Sequence, residues 1–420
     1  MKKTRIISVL LSLVLLLSPT VILSGCNSDS GKQTDLMADI TPSSEIQQPN
    51  EDFINSYLSF SVELLKSSAK NSENNNILIS PLSTAAVLGM LANGAEGDTL
   101  KEIENVLADG MSISEYNKYM RGYTFNLASG ENFKFKNASA VWFNNLDVKQ
   151  SFLQTNKDYY GISAYKQNFD DTALQNINNW VNENTDGTID KMLDELDPQL
   201  KILIINTILF DAKWEKIYPD YDVEDGEFTA IDGSKRVVKM MESIEQYLVC
   251  SWGQGFEKSY AGGKYKFIAV IPSEEKLDEV GGDFYSHLEK FNAEAFKFLL
   301  KSGSPSSREK MYFPKYEYEF ETSFAEELKG MGINSIFDAE KAELSGISKD
   351  ELTITEFKQK TYISVNEEGT KASAATYSGG ALGAGSYSRE IFFNRPFIYI
   401  IVDTTSELPI FMGVVADIGQ

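Results

Sequence analysis

The sequence predicts a single α+β domain with large β-sheets over residues 51–420, and three observations predict it. Strand-like runs recur at Ile202–Phe210, Phe267–Ile271, Thr361–Val365 and Phe397–Val402. Helical patterns precede and separate them, with no Gly/Ser-rich linker or internal repeat to divide the region. The chain also carries 20 Tyr, 25 Phe and 4 Trp within a hydrophobic content of 42%, enough to fill one large core.

The first helical pattern is Phe53, Tyr57, Phe60 and Leu64, spaced to line one helix face. The second is bracketed by its own punctuation. Ser80 suits an N-cap, Pro81 the first helical position and Gly94 the position just past the end. The run between them, Leu82 to Asn93, is apolar on nearly every side, so this helix is expected inside the core.

Residues 1–25 are expected to be an export signal. Lys2, Lys3 and Arg5 precede an apolar run from Ile6 to Leu17, which is shorter than the ~20 residues needed to span a bilayer. The following Leu23-Ser24-Gly25-Cys26 resembles the bacterial lipobox, in which the cysteine is lipid-modified and becomes the mature N-terminus. The expectation is a protein secreted across the bacterial inner membrane and held at the cell surface by lipid on Cys26, its membrane partner. Residues 26–50 are rich in Ser, Asp, Gln and Pro and are expected to form a flexible tether. Removing three positive charges takes the net charge from −22 to −25.

That acidity leaves no basic footprint for nucleic acid. One His and two Cys cannot furnish a His-rich zinc site, a zinc ribbon or a disulfide framework, and no metal and no cofactor are expected. Cys250 reads as an inert buried thiol. The sole imidazole, His287, lies in a helical stretch, Phe284 to Lys290, and is expected on its solvated face. No GxSxG accompanies it, and Gly379–Gly385 lacks both dinucleotide and P-loop spacing. The sequence therefore offers no catalytic constellation, and a non-enzymatic role is expected.

The informative segment is Glu367 to Glu390, long, proline-free and made mostly of small residues between two strand runs. Loops of this length inside compact domains are usually functional. Its side chains are sorted by parity. Thr370, Ala372, Ala374, Thr376, Ser378 and Gly380 alternate with Lys371, Ser373, Ala375, Tyr377 and Gly379, so every bulky group falls on one parity. An extended strand sends one parity to each face of a sheet. The segment could thus enter a sheet with its small face inward and Lys371 and Tyr377 outward. A central strand needs every N–H, which fits the absence of proline.

At this point the chain resembles the serpins. Glu367-Glu-Gly-Thr370 with the Ala-rich run after it is similar to the serpin hinge. Asn76-Ile-Leu-Ile-Ser-Pro-Leu-Ser83 resembles the start of the buried second helix. Residues 178–193 resemble the helix crossing the main sheet and the turn after it. Ile205 to Trp214 resembles the strand ending in the family tryptophan, and Phe393-Asn-Arg-Pro-Phe397 and Pro409-Ile-Phe-Met-Gly413 the C-terminal signature. These matches keep family order across nearly all of residues 51–420.

The resemblance implies a serpin fold with large mixed sheets, surrounding helices and an exposed reactive loop. It implies a monomeric suicide inhibitor whose partner is a serine protease, held as a covalent acyl complex. The cut loop then inserts into the main sheet through hinge residues Glu367, Gly369, Thr370, Ala372, Ala374 and Thr376. Lys371 departs from the usual acidic residue, at an outward position. Ser80, Ser83 and Asn206 match the hydrogen-bonded lock beneath the sheet, where Gln359 replaces a frequent histidine. Counting from Gly369 puts the reactive bond at Gly383–Ala384. Counting back from Pro396 puts it near Gly385–Ser386. With Leu382 and Tyr387 nearby, the flanks suit subtilisin-, chymotrypsin- or elastase-like pockets. The alternative is a non-inhibitory serpin serving as a surface binding module.

Overall fold

The computed structural model describes residues 32–42, 45–72, 75–127, 130, 133–304, 306–355, 357–370 and 389–419. The strands in chain order are β1 (Thr34–Asp35), β2 (Ile77–Ile79), β3 (Phe133–Asn144), β4 (Ser163–Gln167), β5 (Ile202–Lys213), β6 (Val223–Thr229), β7 (Lys235–Val249) and β8 (Gln254–Ser259). They continue as β9 (Tyr265–Ile271), β10 (Arg308–Pro314), β11 (Tyr316–Thr322), β12 (Phe357–Val365), β13 (Gly369–Thr370), β14 (Glu390–Phe392), β15 (Phe397–Asp403) and β16 (Pro409–Val415). The helices are α1 (Glu51–Asn71), α2 (Pro81–Ala92), α3 (Gly97–Ala108), α4 (Ile113–Asn126), α5 (Gln150–Tyr160), α6 (Asp171–Asn184), α7 (Glu274–Asp278), α8 (Phe284–Leu288), α9 (Ala293–Ser302) and α10 (Ala325–Met331).

The strands form two sheets. The first runs β1-β4-β3-β5-β13-β12-β11, and the second β14-β10-β7-β8-β9-β15-β16-β2 with β6 beside β7. The first sheet is covered on both faces. The even residues of β5, Ile204, Ile208, Phe210 and Ala212, face the main core, which also holds α2 and the second sheet. Leu203 and Ile205 face the other way and pack with Ala173, Ile177 and Val181 of α6. The period-2 alternation of β5 thus fills two separate hydrophobic layers.

Local signals place the helices as expected. In α1 the Asn50 side chain accepts from the Phe53 N–H, and Phe53, Tyr57, Phe60 and Leu64 are all buried. In α2 the Ser80 hydroxyl accepts from the Ser83 N–H, Pro81 opens the helix and all twelve residues are buried. A helix apolar all round has no face to give to water.

Two expectations need correction. Parts of the expected tether over 26–50 are held against the domain. β1 pairs antiparallel with β4, and Met37 and Ile40 are buried. The Gln47 amide donates to the Tyr119 hydroxyl at 3.0 Å, and the Asn126 amide to Gln48 at 3.1 Å. A polar composition did not announce this, because the edge of β4 supplies the missing backbone partners. Cys26 lies outside the described residues.

His287 is the second correction. It is 1% exposed and stacked on Trp252 at 5.1 Å between ring centroids. Its Nε2 lies 2.7 Å from the Trp252 carbonyl, and the Trp252 indole N–H donates to the His287 carbonyl at 3.0 Å. Burial holds the imidazole below its ordinary pKa. Phe284, His287 and Leu288 share the buried face of α8 at spacings of three and four, a signal present in the sequence. Cys250 is buried as expected, and burial pushes its thiol up.

Candidate functional site

The site is the junction between β5 and β12. At their lower ends the two strands pair directly and in parallel, with Phe357, Lys358 and Gln359 opposite Ile204, Ile205 and Asn206. At their upper ends they are separated by β13, which is antiparallel to both. Thr370 lies opposite Val365 on one side and Ala212 on the other, and Gly369 lies opposite Lys213. The hinge is therefore already a two-residue wedge in the sheet. Between the wedge and the direct pairs, residues 207–211 and 360–364 face each other over about 17 Å of strand.

Gly369 and Thr370 are closely fitted where they stand. A Cβ at Gly369 would fall 2.1 Å from the Ala212 carbonyl oxygen, so only glycine fits between the strands. Thr370 points inward, is 2% exposed, and its hydroxyl lies 2.5 Å from that of Tyr260. On β12 the residues facing the same side, Phe357, Gln359, Thr361, Ile363 and Val365, are all buried, while those between are half-buried. The parity expected for the loop's first position is the one observed.

The turn after β5 grips the approach to the hinge. The Trp214 N–H donates to the Glu368 carbonyl at 2.8 Å, its indole N–H to the Asn366 carbonyl at 2.9 Å, and the Tyr218 N–H to the Glu367 carbonyl at 2.9 Å. Trp214 stacks on Tyr260 at 4.5 Å. Beneath them Lys258 Nζ lies 4.2 Å from the Tyr218 ring centre and 2.5 Å from the Glu245 carboxylate, in a pair with side chains 5% and 10% exposed. Outside, Lys315 pairs with Glu367 at 2.5 Å. Burial pushes the Glu367 carboxyl up, but the Lys315 ammonium and a backbone N–H outweigh it and hold the group low.

The four expected lock residues come together under the lower pairs. The Ser80 N–H donates to Gln359 Oε1 at 3.1 Å and its hydroxyl to the Ile410 carbonyl at 2.9 Å. Ser83 Oγ reaches Asn137 Oδ1 at 3.4 Å, and the Asn206 amide donates to Asn137 Oδ1 and Ser139 Oγ, each at 2.9 Å. Asn137 and Ser139 of β3 and Thr361 of β12, which donates to the Leu78 carbonyl at 2.8 Å, belong to the same cluster. Sequence reasoning missed them, and the strand that carries Asn137 and Ser139 was not among the runs it read. Two of the lock residues carry a buried atom with no hydrogen-bond partner among the described residues: Asn206 Oδ1 and Gln359 Nε2.

Of the remaining expected site residues, Lys371, Ala372, Ala374, Thr376, Leu382, Gly383, Ala384, Gly385, Ser386 and Tyr387 lie outside the described residues. His287 is sealed against Trp252.

A sheet parted at its centre by its own hinge, over a polar lock, defines a class of proteins. The family model described as Serpin (serine protease inhibitor) matches residues 55–418. The chain belongs to the serpins. It is similar to the thermophilic serpin tengpin, at 35% identity and a TM-score of 0.85 with the native state, covering 92% of this chain and 100% of that one. Against tengpin in the latent state the TM-score is 0.77 at 33% identity, covering 89% and 100%. An uncharacterized serpin-like protein of Thermococcus kodakarensis is 29% identical, over 86% of this chain and 84% of its own length. Human glia-derived nexin is 27% identical, over 84% of this chain and 90% of its own. Proteins of this family are generally protease inhibitors rather than enzymes.

Proposed function

We propose that this protein is a suicide inhibitor of serine proteases with subtilisin-, chymotrypsin- or elastase-like pockets. One observation carries the reading: Gly369 and Thr370 already stand as a strand between β5 and β12. In the proposed sequence of events, the protease serine Oγ attacks the carbonyl of Gly383 or Gly385. The peptide C–N bond breaks, the new amine leaves with the proton passed through the protease histidine, and an ester joins the two proteins. The freed hinge then zips downward as a strand. Fourteen residues from Thr370 span about 46 Å at ~3.3 Å each, enough to carry the protease along the sheet before the ester hydrolyses. Two crystal states of tengpin, native and latent, support a fold able to hold more than one arrangement.

The test is to mix the mature protein with subtilisin and with chymotrypsin and look for a covalent complex that survives a denaturing gel. Clean loop cleavage with undiminished protease activity would sink the inhibitory reading and favour a surface binding module. The bond itself follows from intact-mass measurement of the released fragment. We further propose that lipid on Cys26 holds the protein at the extracytoplasmic surface. Replacing Cys26 by Ser should move it from the detergent phase to the aqueous phase, and unchanged partition would rule the anchor out.

A further inference from the structure

Strand pairing fixes the point at which the N-terminal chain leaves the domain. Thr34 lies opposite Lys166 and Asp35 opposite Tyr165, on the edge of β4. The Leu36 N–H donates to the Ala164 carbonyl at 2.8 Å, the Met37 N–H to the Asp35 carboxylate at 2.8 Å, and Met37 and Ile40 are buried. Further on, the Gln154 amide of α5 donates to the Thr41 carbonyl at 3.1 Å. Thr34 is therefore the root from which the preceding residues hang.

Register puts that root at the lower end of the first sheet. Lys166 is level with Phe143 of β3, and Phe143 with Ile202, the first residue of β5. The hinge stands at the other end, Thr370 opposite Ala212. From Ile202 to Ala212 the strand climbs about 33 Å at ~3.3 Å per residue. β1 runs antiparallel to β4, β4 parallel to β3, and β3 antiparallel to β5. β1 therefore climbs in the same sense as β5, and the chain before Thr34 arrives from below.

We propose that the lower end of the first sheet faces the bilayer in the lipid-bearing protein, and that the hinge end with its loop points away from it; the proposal rests on the reading of Cys26 as lipid-modified. Chain length carries it. A tether free from Cys26 to Asn50 would reach about 86 Å, more than the ~54 Å diameter of a domain this size, and would favour no face. Rooted at Thr34, the chain back to Cys26 reaches at most about 29 Å. With the hinge end against the bilayer the root would stand at least about 33 Å above it, out of reach of that lipid. Lys166 beside the root is paired with Asp147 at 2.8 Å, and the net charge is −22, so the leash sets the orientation and headgroup charge does not. The loop is then presented to proteases free in solution, away from those seated on the same bilayer.

The test uses the full lipid-bearing protein in phosphatidylcholine vesicles whose outer headgroups carry an acceptor dye. A donor dye goes on Gln199→Cys, whose neighbours Pro198 and Leu200 are held by Asn144 at the lower end of β3. A second preparation carries it on Lys216→Cys, between Trp214 and Tyr218 at the hinge end. Both positions are exposed and Cys250 is buried, so only the new thiol reacts. Energy transfer from position 199 should exceed that from position 216 by at least about twofold, given the ~33 Å between the two ends. Inserting about twenty Gly and Ser residues between Gly31 and Lys32 should erase the difference. Equal transfer at the natural length, or greater transfer from position 216, would overturn the proposal. So would a difference that survives the long leash, which would report attraction of one face to lipid instead. If the parent does not bind the vesicles, or Cys26→Ser binds them as well, the anchor reading itself fails and the proposal falls with it.

Discussion

Thr376→Val is the sharpest probe of loop insertion, and its size follows from strand register. Thr370 is opposite Ala212 and Val365, and Asn206 is opposite Gln359. Six steps down an antiparallel strand from Thr370 lead to residue 376 on both sides, level with Asn206 and Gln359. The step count is even, so Thr376 would face inward as Thr370 does. It would arrive between the acceptor Asn206 Oδ1 and the donor Gln359 Nε2, the two lock atoms without partners among the described residues. A hydroxyl can donate to the first and accept from the second at once. Each satisfied bond contributes roughly 0.5–1.5 kcal/mol net, and each buried group left unmet costs about 1–3 kcal/mol. Valine keeps the volume and removes the hydroxyl. It should therefore destabilise the loop-cleaved, inserted form by about 2–4 kcal/mol and leave the intact form alone. The assay is guanidinium unfolding of intact and cleaved protein, parent and variant, read as a difference of differences. A cleavage gain equal in both within ~0.5 kcal/mol would refute the register, and no gain on cleavage in the parent would refute insertion altogether.

Thr370→Arg places a charge where the side chain is 2% exposed, and desolvating it costs roughly several kcal/mol at the first step of insertion. The variant should be cleaved as a substrate, seen as a steep rise in the moles of inhibitor consumed per mole of protease. Lys258→Met strands the Glu245 carboxylate in the interior and should cost about 3–5 kcal/mol in denaturant unfolding. Adding Glu245→Gln should restore much of that loss, and an additive double mutant would contradict the pairing. Burial depresses the His287 pKa, so the unfolded chain takes up its proton more readily. Stability should fall as pH drops below the ordinary value of 6.5 and level off below the depressed one. In His287→Gln the thermal midpoint should depend less on pH between 7 and 5, and an identical slope would remove the histidine as the cause.

Much of this molecule was legible in residue order because its signals are local. Ser80, Pro81 and Gly94 bracket α2 by capping chemistry that operates within one turn. The alternation of Thr370 and its successors follows from the pleat of an extended chain, which needs no knowledge of the sheet it will join. The four lock residues and the hinge came instead through likeness to a family, since Ser80 and Gln359 are far apart in the chain. What escaped was set by partners from elsewhere. Asn137 and Ser139 join the lock because β3 lies beside β5, and the segment after Thr34 docks because β4 leaves an edge open.

The order of residues alone specified an α+β chain and a small-residue segment sorted by parity, because period and capping are properties of neighbours. Only the three-dimensional arrangement settled that Gly369 and Thr370 pair between β5 and β12, that Thr370 meets Tyr260, and that His287 is sealed from water. Those outcomes depend on backbone edges and cavities built by segments tens to hundreds of residues away, and no local pattern carries that information.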